Sequence, residues 1–174
     1  MSSYCSFCRQ RPEGDIHRIY HDREYGSRID NDNELFGRLL LEINQAGLSW
    51  ETILRKRDHF EHAYHGYEIA RVAAYGLQDQ ARLMADPGII RNRLKVEAAI
   101  SNAQRILVLQ SEFGSFRAWI ERHHPQPLSE WVRLFKKTLR FTGGQIVNEF
   151  LVSTGYLPGA HDEDCYRFDP PPVD

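Results

Sequence analysis

The sequence predicts an all-α fold, and three observations carry that expectation. Apolar residues recur at helical spacing along most of the chain, no run of four to eight residues alternates with period two, and glycines or small polar residues punctuate the periodic segments. In residues 32–46, Leu35, Phe36, Leu39, Leu40 and Ile43 mark a core-facing helix, because the adjacent Leu39 and Leu40 break any strand alternation. Gly47 ends this helix and Ser49 suits the N-cap of the next, which carries Trp50, Ile53 and Leu54, so Gly47 and Leu48 form the tip of a helix-turn-helix. Residues 20–26 (YHDREYG) read as short turns at helix ends. Further helices are expected over 68–75, 78–85 and 94–112, the last with an apolar face of Val96, Ala99, Ile100, Ala103, Ile106 and Leu107. Segments 115–123 and 129–139 follow, the second with Ser129 as N-cap, and 144–154 buries Ile146, Val147, Phe150 and Leu151 before Gly155 stops it. Residues 1–168 are expected to form one domain, or two closely packed helical subdomains, with 169–174 (DPPPVD) a flexible tail.

With 174 residues the chain can bury about two thirds of its unfolded surface without extra staples. A net charge of −2 and a pI near 6.4 exclude a generally basic coat, so any contact with nucleic acid must be a local patch. No basic start followed by an apolar run opens the chain, and no stretch approaches about 18 apolar residues. The expectation is a cytoplasmic protein without a membrane span. Three cysteines, an odd number placed at opposite ends, argue against a disulfide framework and leave metal ligation or free thiols.

Three groups of residues could carry chemistry. Cys5, Cys8, His21, His161 and Cys165 offer more than the four nitrogen and sulfur ligands of a structural zinc site, with His161 and Cys165 in an H-x-x-x-C arrangement; by spacing alone they are equally readable as surface histidines and small buried thiols. Glu42 lies at the edge of the apolar stripe of its helix, where half burial is expected, two turns before Trp50. The stretch 139–144 (LRFTGG) places glycines before a helix N-terminus, a backbone able to approach phosphate, after the basic residues Arg133, Lys136, Lys137 and Arg140. The same residues would also serve as a solvated basic helix and an ordinary turn. Arg91, Arg93 and Lys95 make a second basic patch.

Taken together, the YHDREYG segment, EINQAGLSW at 42–50, GIIRNRLK at 88–95, and FTGG followed by His161 and Cys165 resemble the bacterial 3-methyladenine DNA glycosylase I family over nearly the whole chain. The resemblance implies a helix-hairpin-helix glycosylase that excises N3-alkylated adenine from double-stranded DNA and leaves an abasic site. A catalytically silent binder of alkylated bases or DNA is the alternative. It implies a structural zinc held by one N-terminal cysteine with His21, His161 and Cys165. Distance to His21 selects Cys8, whereas the neighbouring aromatic and proline select Cys5, the assignment adopted. It assigns Glu42 to recognition of the damaged base, Trp50 to stacking, and Tyr20, Tyr25 and Phe7 to the base pocket. Gly47, Leu48, Lys137, Gly143 and Gly144 would contact DNA, and 139–144 would be the hairpin. A base alkylated at N3 is cationic, so a carboxylate and π faces favour it over neutral adenine. Two departures stand out. Phe7 and Tyr25 occupy positions where family members carry tryptophan, and Glu149 falls where they carry serine, so a second carboxylate near Glu42 would raise the pKa of one of the pair.

Overall fold

A computed structural model describes residues 3–168, and within them there are ten α-helices and no strand. They are α1 (Tyr4–Arg9), α2 (Ile16–Arg23), α3 (Asp32–Gln45), α4 (Trp50–Ala63), α5 (Ile69–Ala73), α6 (Leu77–Met84), α7 (Arg93–Phe113), α8 (Phe116–His123), α9 (Leu128–Thr138) and α10 (Gly144–Ser153), with a 3-10 turn at His65–Tyr67. No helix among the described residues is long and apolar enough to cross a membrane. The tail expected at 169–174 lies outside the described residues.

The chain builds around α3. Asn31 caps it by accepting from the amides of Asn33 and Glu34, and Asp32 and Glu34 complement the positive end of its dipole. Ten consecutive residues, Leu35 to Asn44, are buried, so α3 is surrounded rather than amphipathic. It packs against α4, α7, α8 and α10. Gly37 permits the 3-10 turn to approach α3 closely, because a β-carbon there would collide with the Tyr67 ring. Long α7 presents Val96, Ala99, Ala103, Ile106 and Leu109 to the core. Leu107, expected on that face, is 37% exposed, since it stands about 100° from Ile106 on the helix.

Other expectations shift in register. The segment 20–26 is less of a turn than its sequence suggests, because Tyr20 and His21 sit inside α2, capped by Asp15 accepting from the His17 amide. Helix α9 starts one residue early: Pro127, with φ −69°, supplies the N-cap position, and Ser129 lies inside the first turn. The short α1 and α2 pack on each other and α2 on α4. After α10 the chain returns to the amino-terminal helices, where the Gly26 amide donates to Ser153 O at 2.8 Å and Arg28 Nε to Gly155 O at 3.1 Å.

Candidate functional site: a carboxylate in an aromatic slot

Two adjoining cavities meet at Glu42, Gln45 and Glu149. The narrower, about 260 Å³, is walled by Tyr4, Tyr20, Tyr25 and Trp50. The wider, about 480 Å³, opens between the Gly47–Leu48 tip and the start of α10 at Gly143, Gly144, Gln145 and Ile146. Tyr20, Tyr25, Trp50 and Glu42 are thus brought together as the sequence anticipates, and Gly47, Leu48, Gly143 and Gly144 line the outer cavity. Phe7 is not among the lining residues. Its ring stacks on Tyr4 at 6.1 Å and carries the Arg11 guanidinium at 4.2 Å, and Tyr4 instead faces the slot. Lys137 is exposed on α9, outside both linings.

The aromatic walls hold one another in place. Tyr20 meets Trp50 at 5.4 Å between centroids and Tyr25 at 5.8 Å, while Tyr4 meets Tyr25 edge-on at 5.2 Å. Behind them, Arg38 donates to Tyr20 Oη at 3.1 Å and to Glu24 at 3.1 Å, and Arg57 grips the same Glu24 carboxylate at 2.8 and 2.9 Å. Burial pushes the Glu24 carboxyl up, but the Arg57 and Arg38 guanidiniums more than offset this and hold it below the usual range. A larger cavity of about 690 Å³ surrounds Glu24, Arg38 and Arg57, whose charges already satisfy one another.

Glu42 differs. The edge of an apolar stripe implies half burial, yet Glu42 is only 4% exposed, because α3 is enclosed on every side. No hydrogen-bond partner for its carboxylate is present among the described residues. Burial pushes its pKa up to about 8, against the pull of Arg38 and with a further push from Glu149. The Trp50 indole N–H is also buried without a partner. Burial, followed by Glu149 and Glu42, raises the Tyr25 phenol well above its ordinary range. An acid without a donor, an indole without an acceptor and three tyrosine faces make a slot suited to a flat, cationic ring.

The loops bordering the outer cavity are latched by α7. Lys95, part of the basic run whose placement the sequence leaves open, is buried, and its Nζ donates to Asn44 O and Ala46 O at 2.9 Å each, closing the negative end of α3. Arg91 and Arg93 remain exposed. Asn102 clamps the turn before α10, donating to Arg140 O at 3.0 Å and accepting from Arg140 N at 2.7 Å. Phe141 takes the left-handed conformation at φ 59°, and Thr142 Oγ1 donates to Leu139 O at 3.2 Å. No side chain caps α10. A β-carbon on Gly143 would meet nothing within 4 Å, so its backbone is open to a ligand.

Beside the slot, Cys5, His21, His161 and Cys165 converge with all ligand atoms within 4.8 Å of one another. Cys5 Sγ lies 3.3 Å from His21 Nε2 and 3.6 Å from His161 Nδ1, and Cys165 Sγ lies 3.7 and 3.8 Å from the same nitrogens. Tetrahedral coordination with ordinary zinc bond lengths requires sulfur-to-nitrogen edges of about 3.6 Å. The free ring nitrogens are oriented as metal-bound imidazoles need, His21 Nδ1 by Asp22 at 2.8 Å and His161 Nε2 by Tyr25 O at 2.8 Å. These four residues could hold a metal ion. Cys8 stays apart, its thiol facing His17 O at 3.6 Å.

Tyr4 and Gln45 are lining residues that sequence reasoning missed. Tyr4 adjoins Cys5, so the anchoring of that cysteine was the available signal. Gln45 precedes the Gly47 tip but carries no motif of its own.

Comparison with known proteins agrees with this geometry. The family model described as methyladenine glycosylase matches residues 11–137. DNA-3-methyladenine glycosylase 1 of Escherichia coli (strain K12) is 37% identical over 125 residues, which span 70% of this chain and 65% of that protein. A tyrosine-to-phenylalanine variant of 3-methyladenine DNA glycosylase I in complex with 3-methyladenine superposes with a TM-score of 0.83 at 30% identity, covering 94% of this chain and 96% of that one. The Staphylococcus aureus enzyme, whose structure addresses 3-methyladenine recognition, gives 0.82 at 30% identity over 95% and 96% of the two chains. A family match over most of the chain, together with the same helical fold, means that the chain belongs to the methyladenine glycosylase family.

Proposed function

We propose that this chain is a monofunctional DNA N-glycosylase that hydrolyses the N-glycosidic bond of N3-alkylated adenine in double-stranded DNA and leaves an abasic site. The observation that carries the reading is Glu42, a buried carboxyl without a partner in a slot walled by Tyr20, Tyr25, Trp50 and Tyr4. Relatives named for 3-methyladenine excision, one of them bound to the free base, support it.

An adenine alkylated at N3 carries positive charge while attached to its sugar, so it leaves readily. Turning the nucleotide out of the duplex into the slot lets Trp50 and the tyrosines stack on it and Glu42 ionise against it. The base is then held at the angle at which the glycosidic bond breaks, and water attacks the sugar cation. No lysine lines the slot, so a Schiff base with strand cleavage is not part of the reading. Helix α9, the turn at 139–143 and α10 act as a helix-hairpin-helix element. Its uncapped amides at Gly144 and beyond take a phosphate, Gly143 allows close approach, and Lys137 adds charge from α9. Gly47 and Leu48 face the strand from the other lip.

Zinc at Cys5, His21, His161 and Cys165 would be structural, since four protein ligands leave no position for water. Phe7, behind Tyr4, supports the slot rather than touching the base. Residues 1–168 act as one glycosylase unit in the cytoplasm, where buried unpaired thiols stay reduced. The test is chromatography of bases released from methylated duplex DNA by the purified protein. Free 3-methyladenine is expected, whereas tight binding to the DNA without release would make the chain a silent reader of damage.

A further inference from the structure

Glu149 belongs to both cavities. It lies on α10, is half-buried, lines the aromatic slot with Trp50 and lines the outer cavity with Gly143 and Gly144. No hydrogen bond or ion pair engages it among the described residues. Glu24 behind the slot is neutralised by two arginines, whereas two carboxylates without ion-pair partners lining one slot point to a cation that arrives from outside. Glu42, more than nine-tenths buried, lines the slot without a hydrogen-bond partner, and Trp50, which also lines it, has a buried indole N–H without one.

We propose that Glu149 is a specificity-determining residue of this slot, a second carboxylate that makes it select bases carrying a full positive charge. This rests on the glycosylase reading and sharpens it. Glu42 reads the ligand from the floor, and Glu149 reads it from the rim where the slot opens toward the DNA-facing lips.

The groups facing Glu42 set its protonation state. Arg38 stands on its own helix, Tyr4 on α1, Tyr20 on α2, Tyr25 after α2, and Glu149 on α10. Of these, only Arg38 opposes the proton on Glu42, and it is already committed to Glu24 and Tyr20. The empty slot therefore keeps a proton on Glu42 near neutral pH. When a fixed cation enters, Glu42 releases that proton to solvent and the pair becomes two carboxylates around one positive ring. The balance is one proton out for one cation in, so affinity for the cation rises with pH until Glu42 is already ionised in the free protein.

The experiment uses 3,9-dimethyladeninium, whose two ring alkyl groups fix the charge, and 9-methyladenine as a neutral match of nearly the same outline. Binding to the full chain is measured by calorimetry between pH 6 and 9 for wild type, E149Q and E149D. Wild type should bind the cation more tightly as pH rises, by close to ten-fold per unit below the titration of Glu42, and then level off. At pH 9 E149Q should lose about ten-fold in cation affinity, E149D should recover much of it, and neutral binding should stay within two-fold. The levelling-off should also move to lower pH in E149Q, because a like charge beside Glu42 is gone. An E149Q profile that overlays wild type, or an equal loss for both ligands, would overturn the role of Glu149 and leave it a solvated rim charge or a packing residue. A wild type with no preference for the cation would instead overturn the glycosylase reading beneath it.

Discussion

Glu42→Gln should make this protein more stable at neutral pH while impairing recognition, and the size of the effect can be worked from the burial of the carboxyl. Its pKa is raised from about 4.5 to about 8. The folded state therefore holds a proton that the unfolded state gives up over that interval, so Glu42 costs nothing below the unfolded value and progressively more as pH rises toward 8. Integrating the two titrations gives a cost of about 1 kcal/mol at pH 5 and about 3 kcal/mol at pH 7, a difference of about 2 kcal/mol. Glutamine keeps the shape and does not titrate. Whatever fixed energy the buried amide contributes is the same at both pH values, and the other titrating groups cancel when the variant is compared with wild type. The advantage of the variant should therefore grow by about 2 kcal/mol between pH 5 and pH 7, a relative gain in Tm of roughly 4 to 8 °C for a chain of this size. Urea unfolding of both proteins at the two pH values, in metal-replete buffer, measures it. A stability difference independent of pH would mean that Glu42 ionises normally in the fold, and the account of a protonated carboxyl awaiting a cation would fail. The same variant should bind 3,9-dimethyladeninium about ten-fold to thirty-fold more weakly than wild type above pH 8.

Purified protein should contain about one zinc per chain by elemental analysis, and His161→Ala or Cys165→Ala should lose the metal and up to about 4 kcal/mol, the scale of a crosslink closing more than 100 residues. Cys8→Ala, which removes only a thiol beside His17 O, should retain the metal. Trp50→Ala should weaken 9-methyladenine and 3,9-dimethyladeninium alike, since stacking needs only a π face; selective loss of the cation would assign charge reading to the indole. Gly143→Pro fits the existing φ of −66° while placing a ring where the bare backbone lets a phosphate approach, and Lys137→Ala removes one charge. Both should weaken duplex binding irrespective of sequence, and the lysine variant should flatten the salt dependence by about one ion; unchanged salt slopes would place the DNA surface elsewhere.

Much of the fold could be read from the sequence because its longest helices carry dense apolar repeats with glycine or polar punctuation. Helices α3, α7 and α10 are of this kind. Short α1 and α2 are harder, since their cores are cysteine, histidine and tyrosine, residues that match no apolar period. The same difficulty exchanges Phe7 for Tyr4: they stand three residues apart on one face of a six-residue helix, and only the packing against Tyr25 decides which ring faces the slot. Glu42 falls at a stripe's edge on a helical wheel because the wheel assumes one wet side, which α3 does not have. Lys95 sits in a run of basic residues whose placement the sequence leaves open. Its burial depends on two carbonyls about fifty residues away in sequence, and no local pattern reports them.

Those two carbonyls give α7 the character of a ruler. Lys95 and Asn102 are seven residues apart, just under two turns, so they project from the same side of the rod about 10 Å apart along its axis. One fixes the chain immediately before the Gly47–Leu48 tip, and the other fixes the turn immediately before Gly143 and Gly144. The gap between the two lips of the outer cavity is thereby referred to the pitch of a single helix rather than to the sum of several loop conformations. Residues at the lips can change without altering that gap. One residue inserted between Lys95 and Asn102 would swing one latch about 100° away from the other and uncouple the lips, although neither lip had been touched.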